Sequence, residues 1–237
     1  MQFAIPPHDI AFDKFSIGEL FRETWNSLSL FSLSSKNPVN LYRNYSVANV
    51  PDRGSNLVFN VRIALPNASQ ESAGVGSSYV FNLKEGDEIQ LKGPFGDFLI
   101  SNSEREMIYI GGGAGMAPIR SHLSHLFEDK KSNRKISYWY GARSRSELYY
   151  NEYFDNLSEE YKNFSFHVAL SDMKPGDVWK GHQGFIHEVL YREYLKYHPT
   201  PQEIEYYLCG PPVMIKASLD LLEKLNVPKN RISYDEF

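Results

Sequence analysis

The sequence predicts two domains, an antiparallel β-domain over residues 1–102 and an α/β domain with a doubly wound, parallel, five-stranded sheet over residues 103–237. Three observations carry this reading. From Met107 onward, short apolar strands alternate with helical patterns, which is how a parallel sheet with crossover helices is written in sequence. Val39–Val50 is β-rich, and Leu57–Leu65 alternates apolar and polar positions across the turn Pro51–Gly54. The two patterns meet at the polar stretch Ser101–Arg105.

In the first domain, Met1–Ile5 reads as a strand stopped by Pro6-Pro7. Phe15–Phe31 places Ile17, Leu20, Phe21, Trp25 and Leu28 at roughly helical spacing and fits a surface helix or a covering loop. Ser32–Asn37 is polar and reads as a turn. Val39–Val50 is β-rich, and Leu57–Leu65 reads as a second strand across the turn Pro51–Gly54. After a polar loop over Pro66–Ala73, Gly74–Val80 reads as a helix start with serine caps. Glu88–Leu91 is a strand, and Gly93-Pro94-Phe95-Gly96 closes the segment.

In the second domain the strands are Met107–Ile110, Ile136–Tyr140, Ser165–Leu170, Glu205–Leu208 and Arg231–Tyr234. The helices are Pro118–Glu128, Ser146–Asn156, Phe185–Leu195 and Pro212–Leu225. The first strand runs into Gly111-Gly112-Gly113-Ala114-Gly115 and then a helix opening at Pro118, a residue favoured at the first helical position. Strand, glycine turn and helix start together make a dinucleotide pyrophosphate site, because glycine lets the backbone approach the ligand and the free N–H groups face it. The usual fingerprint is incomplete: Met116 stands where a third glycine is expected, and the next strand ends in Gly141-Ala142-Arg143 rather than in an acid. A turn serving only tight strand–helix packing is the competing reading.

Composition narrows the function classes. The chain of 237 residues has a net charge of −4, which gives no reason to expect nucleic acid or an anionic membrane as partner. No apolar run is long enough to span a bilayer, and no signal peptide is visible. A single cysteine excludes a disulfide framework, and also an iron–sulfur cluster ligated by cysteines of this stretch alone. The seven histidines show no metal pattern. His122 and His125 share a helix face but lack a third ligand, so packing or surface roles suit them better.

Four motifs occur in order: Arg43-x-Tyr45-Ser46, Gly74-x-x-Ser77, Gly111–Pro118 and Cys209-Gly210-Pro211-Pro212. On them the chain resembles the ferredoxin–NADP reductase superfamily. Longer strings (Arg43–Asn49, Asn60–Ala64, Gly93–Phe98, Ser137–Ser144 and Gly184–Tyr191) resemble the F-subunit family of sodium-translocating NADH:quinone oxidoreductases. The resemblance implies a small FAD-binding β-barrel followed by an NADH-binding α/β domain. It implies hydride transfer from NADH to FAD, then electron transfer to a ferredoxin-like iron–sulfur centre, feeding quinone reduction coupled to sodium translocation. That centre would lie in a domain N-terminal to this stretch. Few residues precede Arg43, so the barrel is expected to be truncated at its start. The expected partners are that ferredoxin-like domain and the other components of a membrane complex at the cytoplasmic face of the bacterial inner membrane; this stretch is expected to be soluble. The alternatives are a reductase component of an oxygenase or ferredoxin system, and a non-catalytic nucleotide-binding module.

The same resemblance implies residue roles. Arg43 would pair with the FAD pyrophosphate, whose oxygens match a guanidinium fork. Tyr45 would pack against the isoalloxazine, and Ser46 would hydrogen-bond its reactive nitrogen. Gly76, Ser77 and Ser78 would offer N–H donors to the pyrophosphate, or form a simple helix cap. Arg62 would face the flavin from a neighbouring strand. Gly112, Gly113 and Pro118 would shape the nicotinamide-nucleotide pocket. Arg143 would contact phosphate or ribose, or be a solvated charge; Asp172 would position the nicotinamide end, or cap a loop. Cys209, followed by Gly210 and Pro211, would sit beside the nicotinamide's reactive carbon, or be a small buried hydrophobe, and Phe237 would lie over the flavin or simply fray.

Overall fold

The computed structural model describes residues 1–50, 56–66, 72–173, 176 and 178–236. They divide into two compact units. One comprises Met1–Ser46 with Phe59–Gly96, the other Val47–Val58 with Asp97–Phe237.

The first unit holds β1 (Gln2–Ile5), β2 (His8–Ala11), α1 (Glu19–Ser27), β3 (Ser34–Asn37), β4 (Leu41–Asn44), α2 (Val75–Asn82) and β5 (Leu91–Lys92). β1 is the middle of a three-stranded antiparallel sheet in the order β4-β1-β5, with Phe3 opposite Arg43 and Leu91. β2 and β3 pair separately, Ile10 opposite Ser35. Among the described residues these two small sheets do not close, so the expected barrel is corrected to an open antiparallel arrangement. Ser34–Asn37 is a strand, not a turn: Ser35 and Asn37 point inward, and the Asn37 amide donates to the Pro6 and Val39 carbonyls at 3.0 and 2.7 Å. Leu57–Leu65 is extended with largely alternating burial, yet it forms no ladder beyond an isolated bridge at Phe59. The core gathers Ile10, Phe12, Phe15, Trp25 and Leu30, with Phe31 and Phe81 packed on it. Trp25 is the one buried residue of α1, which settles the Phe15–Phe31 alternative in favour of a short surface helix.

The second unit is a six-stranded parallel sheet: β6 (Met107–Gly112), β7 (Ile136–Ala142), β8 (Phe164–Leu170), β9 (His182–Gln183), β10 (Glu205–Gly210) and β11 (Ile232–Glu236), in the order β11-β10-β6-β7-β8-β9. The extra strand is the two-residue edge β9, too short to show a period. The helices are α3 (Met116–Ser124), α4 (Asn151–Glu160), α5 (Ile186–Glu193) and α6 (Pro212–Lys224). Alternate residues of each strand serve opposite faces, as a pleated strand requires. Met107, Tyr109, Tyr138, Tyr140, Tyr207 and Cys209 pack with α3 and α4. Ile108, Ile110, Trp139, Tyr206 and Leu208 pack with α5 and α6. With both faces covered, every residue of β6 and β10 is buried, which explains the apolar runs Met107–Ile110 and Tyr206–Cys209.

Two helix starts differ from expectation. α3 opens at Met116, after a single 3-10 turn over Gly113–Gly115, so Pro118 is its third residue. It still lies in the first turn, where a missing N–H breaks no helical bond. α4 opens at Asn151 rather than Ser146, because Tyr150 takes a left-handed conformation (φ +60°) that no continuing helix permits.

Candidate functional site

In the first unit, three of the sequence-predicted residues meet. Arg43 stands exposed on β4 and Tyr45 follows it, its ring 4.8 Å from that of Phe3. A Cβ built on Gly76 would lie 2.7 Å from Arg43 Cγ and 2.9 Å from the Tyr45 hydroxyl oxygen. Only glycine therefore lets α2 start this close to the arginine. Burial pushes the Tyr45 phenol up, with Arg43 opposing. Ser46, half-buried, comes next in the chain. The cap of α2 is Gly74, which has no side chain to satisfy the first N–H groups. The Ser77 and Ser78 hydroxyls donate back to the Gly74 carbonyl at 3.1 and 2.8 Å, and Ser77 Oγ also accepts the Ala64 N–H. The serines therefore do not cap the helix, and the Ser78 N–H itself donates to the Gly74 carbonyl at 2.9 Å, so the N–H groups not used in the helix are those of Val75, Gly76 and Ser77 in its first turn. An exposed guanidinium beside an uncapped helix start is a donor set that fits a pyrophosphate. Arg62 is exposed on the extended stretch after Phe59.

In the second unit the glycine turn lies where the strand order reverses. β6 leads outward through β7, β8 and β9, whereas β10 and β11 lie on its other side, so the switch point is the β6–β10 pair. There Gly111 stands in register with Cys209, and Gly112 with Gly141 of β7. Ligands of doubly wound sheets bind outside the strand ends at this point. The glycines do two different jobs. A Cβ on Gly115 would lie 2.0 Å from the Cys209 carbonyl oxygen, and one on Gly112 would lie 2.7 Å from Met214 Sδ, so both are packing glycines. Gly113 has φ +55° and nothing within 4 Å of a built Cβ, so its backbone borders open space. Gly115, the cap of α3, again offers no side chain. The Met116 N–H already donates within the 3-10 turn to the Gly113 carbonyl, so what fits a nucleotide phosphate here is the open glycine backbone of the turn that leads into α3.

The remaining predicted residues divide. Cys209 is 1% exposed, and burial pushes its thiol well up, with the Asp235 charge adding to it. Gly210 is buried at φ +158°, whereas Pro211 is exposed and precedes α6. The Arg143 guanidinium is largely exposed and paired with Glu147 (Nε to Oε1 2.8 Å, Nη2 to Oε1 2.5 Å). Asp172 is exposed at the end of β8, its N–H donating to the Arg143 carbonyl at 2.8 Å. Phe237 lies outside the described residues.

Three contacts had no signal in the sequence. The Tyr149 hydroxyl donates to the Gly113 carbonyl and so fastens the open turn. Met214 fills the space beside Gly112 and Gly210. Arg120, on α3, lies over the rings of Tyr150 and Tyr153, 4.7 Å from each centroid. Its Nη1 donates to the Ala48 carbonyl at 2.6 Å, and the neighbouring Ser121 hydroxyl donates to the Asn49 carbonyl at 3.1 Å. Among the described residues no group of three metal-ligating side chains occurs, and no helix is long and apolar enough to cross a membrane.

Comparisons with known proteins agree with both halves. The oxidoreductase FAD-binding domain family matches residues 30–100, and the oxidoreductase NAD-binding domain family matches residues 109–220. The whole chain is 47% identical to the F subunit of the Na(+)-translocating NADH-quinone reductase of Idiomarina loihiensis and 45% identical to that of Klebsiella pneumoniae, spanning 59% of each. The chain thus spans about three-fifths of the length of the curated relatives it matches. Among solved structures, the FAD/NAD-binding domain of nitric oxide dioxygenase from Vibrio cholerae superposes with a TM-score of 0.70 at 22% identity, covering 100% of this chain and 82% of that one. The ferredoxin reductase of carbazole 1,9a-dioxygenase gives 0.69 at 26% identity, over 83% of this chain and 55% of that one. With an FAD-binding and an NAD-binding oxidoreductase domain in tandem, the chain is an FAD- and NAD-binding oxidoreductase with the ferredoxin reductase-like fold.

Proposed function

We propose that this chain is the NADH-oxidising flavin module of a sodium-translocating NADH:quinone oxidoreductase, accepting hydride from NADH on FAD and passing electrons to a ferredoxin-like iron–sulfur centre. The observation that carries the reading is the pair of anion cradles, Arg43 with Gly76 on α2 and Gly113 with the turn that leads into α3, one within each matched domain. The 45–47% identity to the F subunits of such reductases supports the choice of physiological system.

In this reading Arg43 and the α2 N–H groups hold the FAD pyrophosphate, Tyr45 packs on the isoalloxazine, and Ser46 hydrogen-bonds its reactive nitrogen. Gly113 and the turn that opens α3 hold the nicotinamide nucleotide, with Gly112 packed against Met214 as support, and Cys209 and Gly210 border its reactive ring. FAD supplies the two-electron chemistry when bound; the chain contributes orientation and electrostatics. No general acid or base is needed for hydride transfer, in keeping with a buried thiol held protonated. NADH is preferred to NADPH, in line with the NADH-quinone reductase subunits that the chain resembles. The partners are the ferredoxin-like domain and other components of the membrane complex, at its cytoplasmic face.

The test is an anaerobic titration of the FAD-loaded chain. Rapid bleaching of the flavin band by NADH, with NADPH far slower, is the expected result. Bleaching by NADPH alone favours a soluble ferredoxin or oxygenase reductase, and a chain that takes up no FAD removes the proposal.

A further inference from the structure

The chain has five methionines, and burial sorts them. Met107 and Met116 are fully buried, whereas Met1, Met173 and Met214 are half-buried. Met214, in the first turn of α6, packs on the glycine backbone of the switch point. Its sulfur would lie 2.7 Å from a Cβ built on Gly112, and its terminal methyl 2.6 Å from one built on Gly210. The thioether thus fills the space that these two glycines leave, immediately before the open backbone of Gly113. The backbone of Met214 is fixed on both sides: its N–H donates to the Pro211 carbonyl and its carbonyl accepts the Ser218 hydroxyl, both at 2.9 Å. The start of α6 around it is open to solvent, with Pro211 and Pro212 exposed and Val213 83% exposed. An unbranched, polarizable thioether suits such an irregular gap. It is also the apolar group that peroxides convert into a polar sulfoxide.

We propose that Met214 is an oxidation site that governs nicotinamide-nucleotide binding: as a thioether it supports the glycine turn, and as a sulfoxide it withdraws that support. The proposal rests on the placement of the nucleotide at the Gly113 turn given above. The oxidant is hydrogen peroxide, a product of aerobic flavin chemistry. One peroxide oxygen bonds to the Met214 sulfur as the O–O bond breaks. The sulfur loses two electrons, and the other oxygen leaves as water with both hydrogens. Towards the glycines there is no room for the new oxygen, since even a Cβ there would meet the thioether at 2.6–2.7 Å. Towards solvent, the polar group draws the side chain out of its place, because an unpaired polar oxygen is costly to keep among apolar neighbours. Either way Gly112 and Gly210 lose their packing partner. Methionine sulfoxide reductases reverse the change, so the loss of binding is reversible. Met107 and Met116 belong to the same unit but are shielded by their burial.

The test treats the FAD-loaded chain with hydrogen peroxide. Peptide mass spectrometry reads the sulfoxide at each methionine. Calorimetry reads the dissociation constant for NAD+, which leaves the flavin oxidised, before and after treatment. Wild type, Met214→Leu and Met173→Leu are each compared with their own untreated sample. The expected result is sulfoxide at Met214 of the native chain, with Met107 and Met116 spared. Affinity for NAD+ then falls about tenfold in wild type and in Met173→Leu, as an overpacked contact would cost. A methionine sulfoxide reductase restores it, and treatment leaves the affinity of Met214→Leu unaltered. Should Met214→Leu fail to fold, the wild-type time course carries the decision: the loss must follow the Met214 sulfoxide and not that of Met1 or Met173. The proposal is overturned by a Met214 that peroxide does not oxidise in the folded chain. Unaltered affinity at full Met214 conversion also overturns it, and so does an equal loss in Met214→Leu. An untreated wild type that binds no NAD+ removes the placement of the nucleotide and this proposal with it. One that binds NAD+ regardless of the Met214 sulfoxide removes only the oxidation site's control of binding.

Discussion

Arg134 Nη2 lies 2.6 Å from Glu205 Oε2, and both side chains are more than nine-tenths buried at the end of the parallel sheet opposite the glycine turn. The pair is fully dressed. Glu205 also accepts the Ser101 and Ser103 hydroxyls at 2.5 and 2.7 Å, and Arg134 also donates to the Arg105 and Ser101 carbonyls at 2.6 and 3.3 Å. Burial raises the Glu205 carboxyl, but these hydrogen bonds and the arginine outweigh it and hold the group below the usual carboxylate range. Glu205→Ala leaves a buried guanidinium without its counter-charge. The expected cost is about 3–5 kcal/mol, read as a lower midpoint in urea unfolding at unchanged slope.

Acid weakens the fold through two groups with the same sign. Glu205, lowered in the folded state, stabilises above its unfolded value, and that contribution is lost as pH falls through the folded one. His122, stacked on Phe98 and hydrogen-bonded to its carbonyl at 3.0 Å, is held by burial at about 4. The unfolded chain takes up this proton near 6.5, so between pH 6.5 and 4 unfolding binds the extra proton and stability falls with pH. The span corresponds to about 3 kcal/mol for the single histidine. In His122→Gln, unfolding free energies measured across this range should show a visibly shallower slope.

At Gly115 the conflict with a side chain is steric, since its φ is ordinary at −59°. A methyl group there meets the Cys209 carbonyl oxygen, and relief requires α3 to move off β10. Gly115→Ala is expected to lose about 1–3 kcal/mol of stability and to weaken nicotinamide-nucleotide binding. Calorimetric titration beside thermal unfolding checks both at once.

Tyr149→Phe removes the hydroxyl that fastens the Gly113 carbonyl but keeps the ring. One neutral hydrogen bond contributes about 1 kcal/mol, so the dissociation constant for NADH should rise roughly fivefold. FAD affinity should stay as in the wild type.

The Cys209 thiol is buried and held protonated, which makes it a poor nucleophile. Alkylation by iodoacetamide at pH 8 should be orders of magnitude slower in the native chain than in urea. Native labelling at the denatured rate would show that this strand end is open to solvent.

What the sequence revealed follows from what each signal reports. The alternation from Met107 onward was legible because burying both sheet faces demands long apolar runs. The edge strand β9 was not, since two residues carry no period. Leu57–Leu65 shows why alternation alone misleads: it records an extended backbone with one face inward, whereas a ladder also needs a partner strand at the right distance. The displaced start of α4 has a similar origin, for nothing in the run Leu148–Tyr150 announces a left-handed tyrosine. At the site, glycines and Arg43 were readable because their chemistry is tied to residue type. Tyr149, Met214 and Arg120 were not, because each matters through a neighbour distant in sequence.

The strap at Val47–Val58 packs as part of the α/β unit although it is threaded through the middle of the FAD-binding sequence. The α/β unit is therefore not a contiguous cassette. A genetic exchange that transplants residues 97–237 onto another flavin domain leaves behind the stretch that α3 grips, and the recipient's own loop must present matching carbonyls to Arg120 and Ser121. A chimera carrying its native strap is expected to unfold at a higher temperature than one without it.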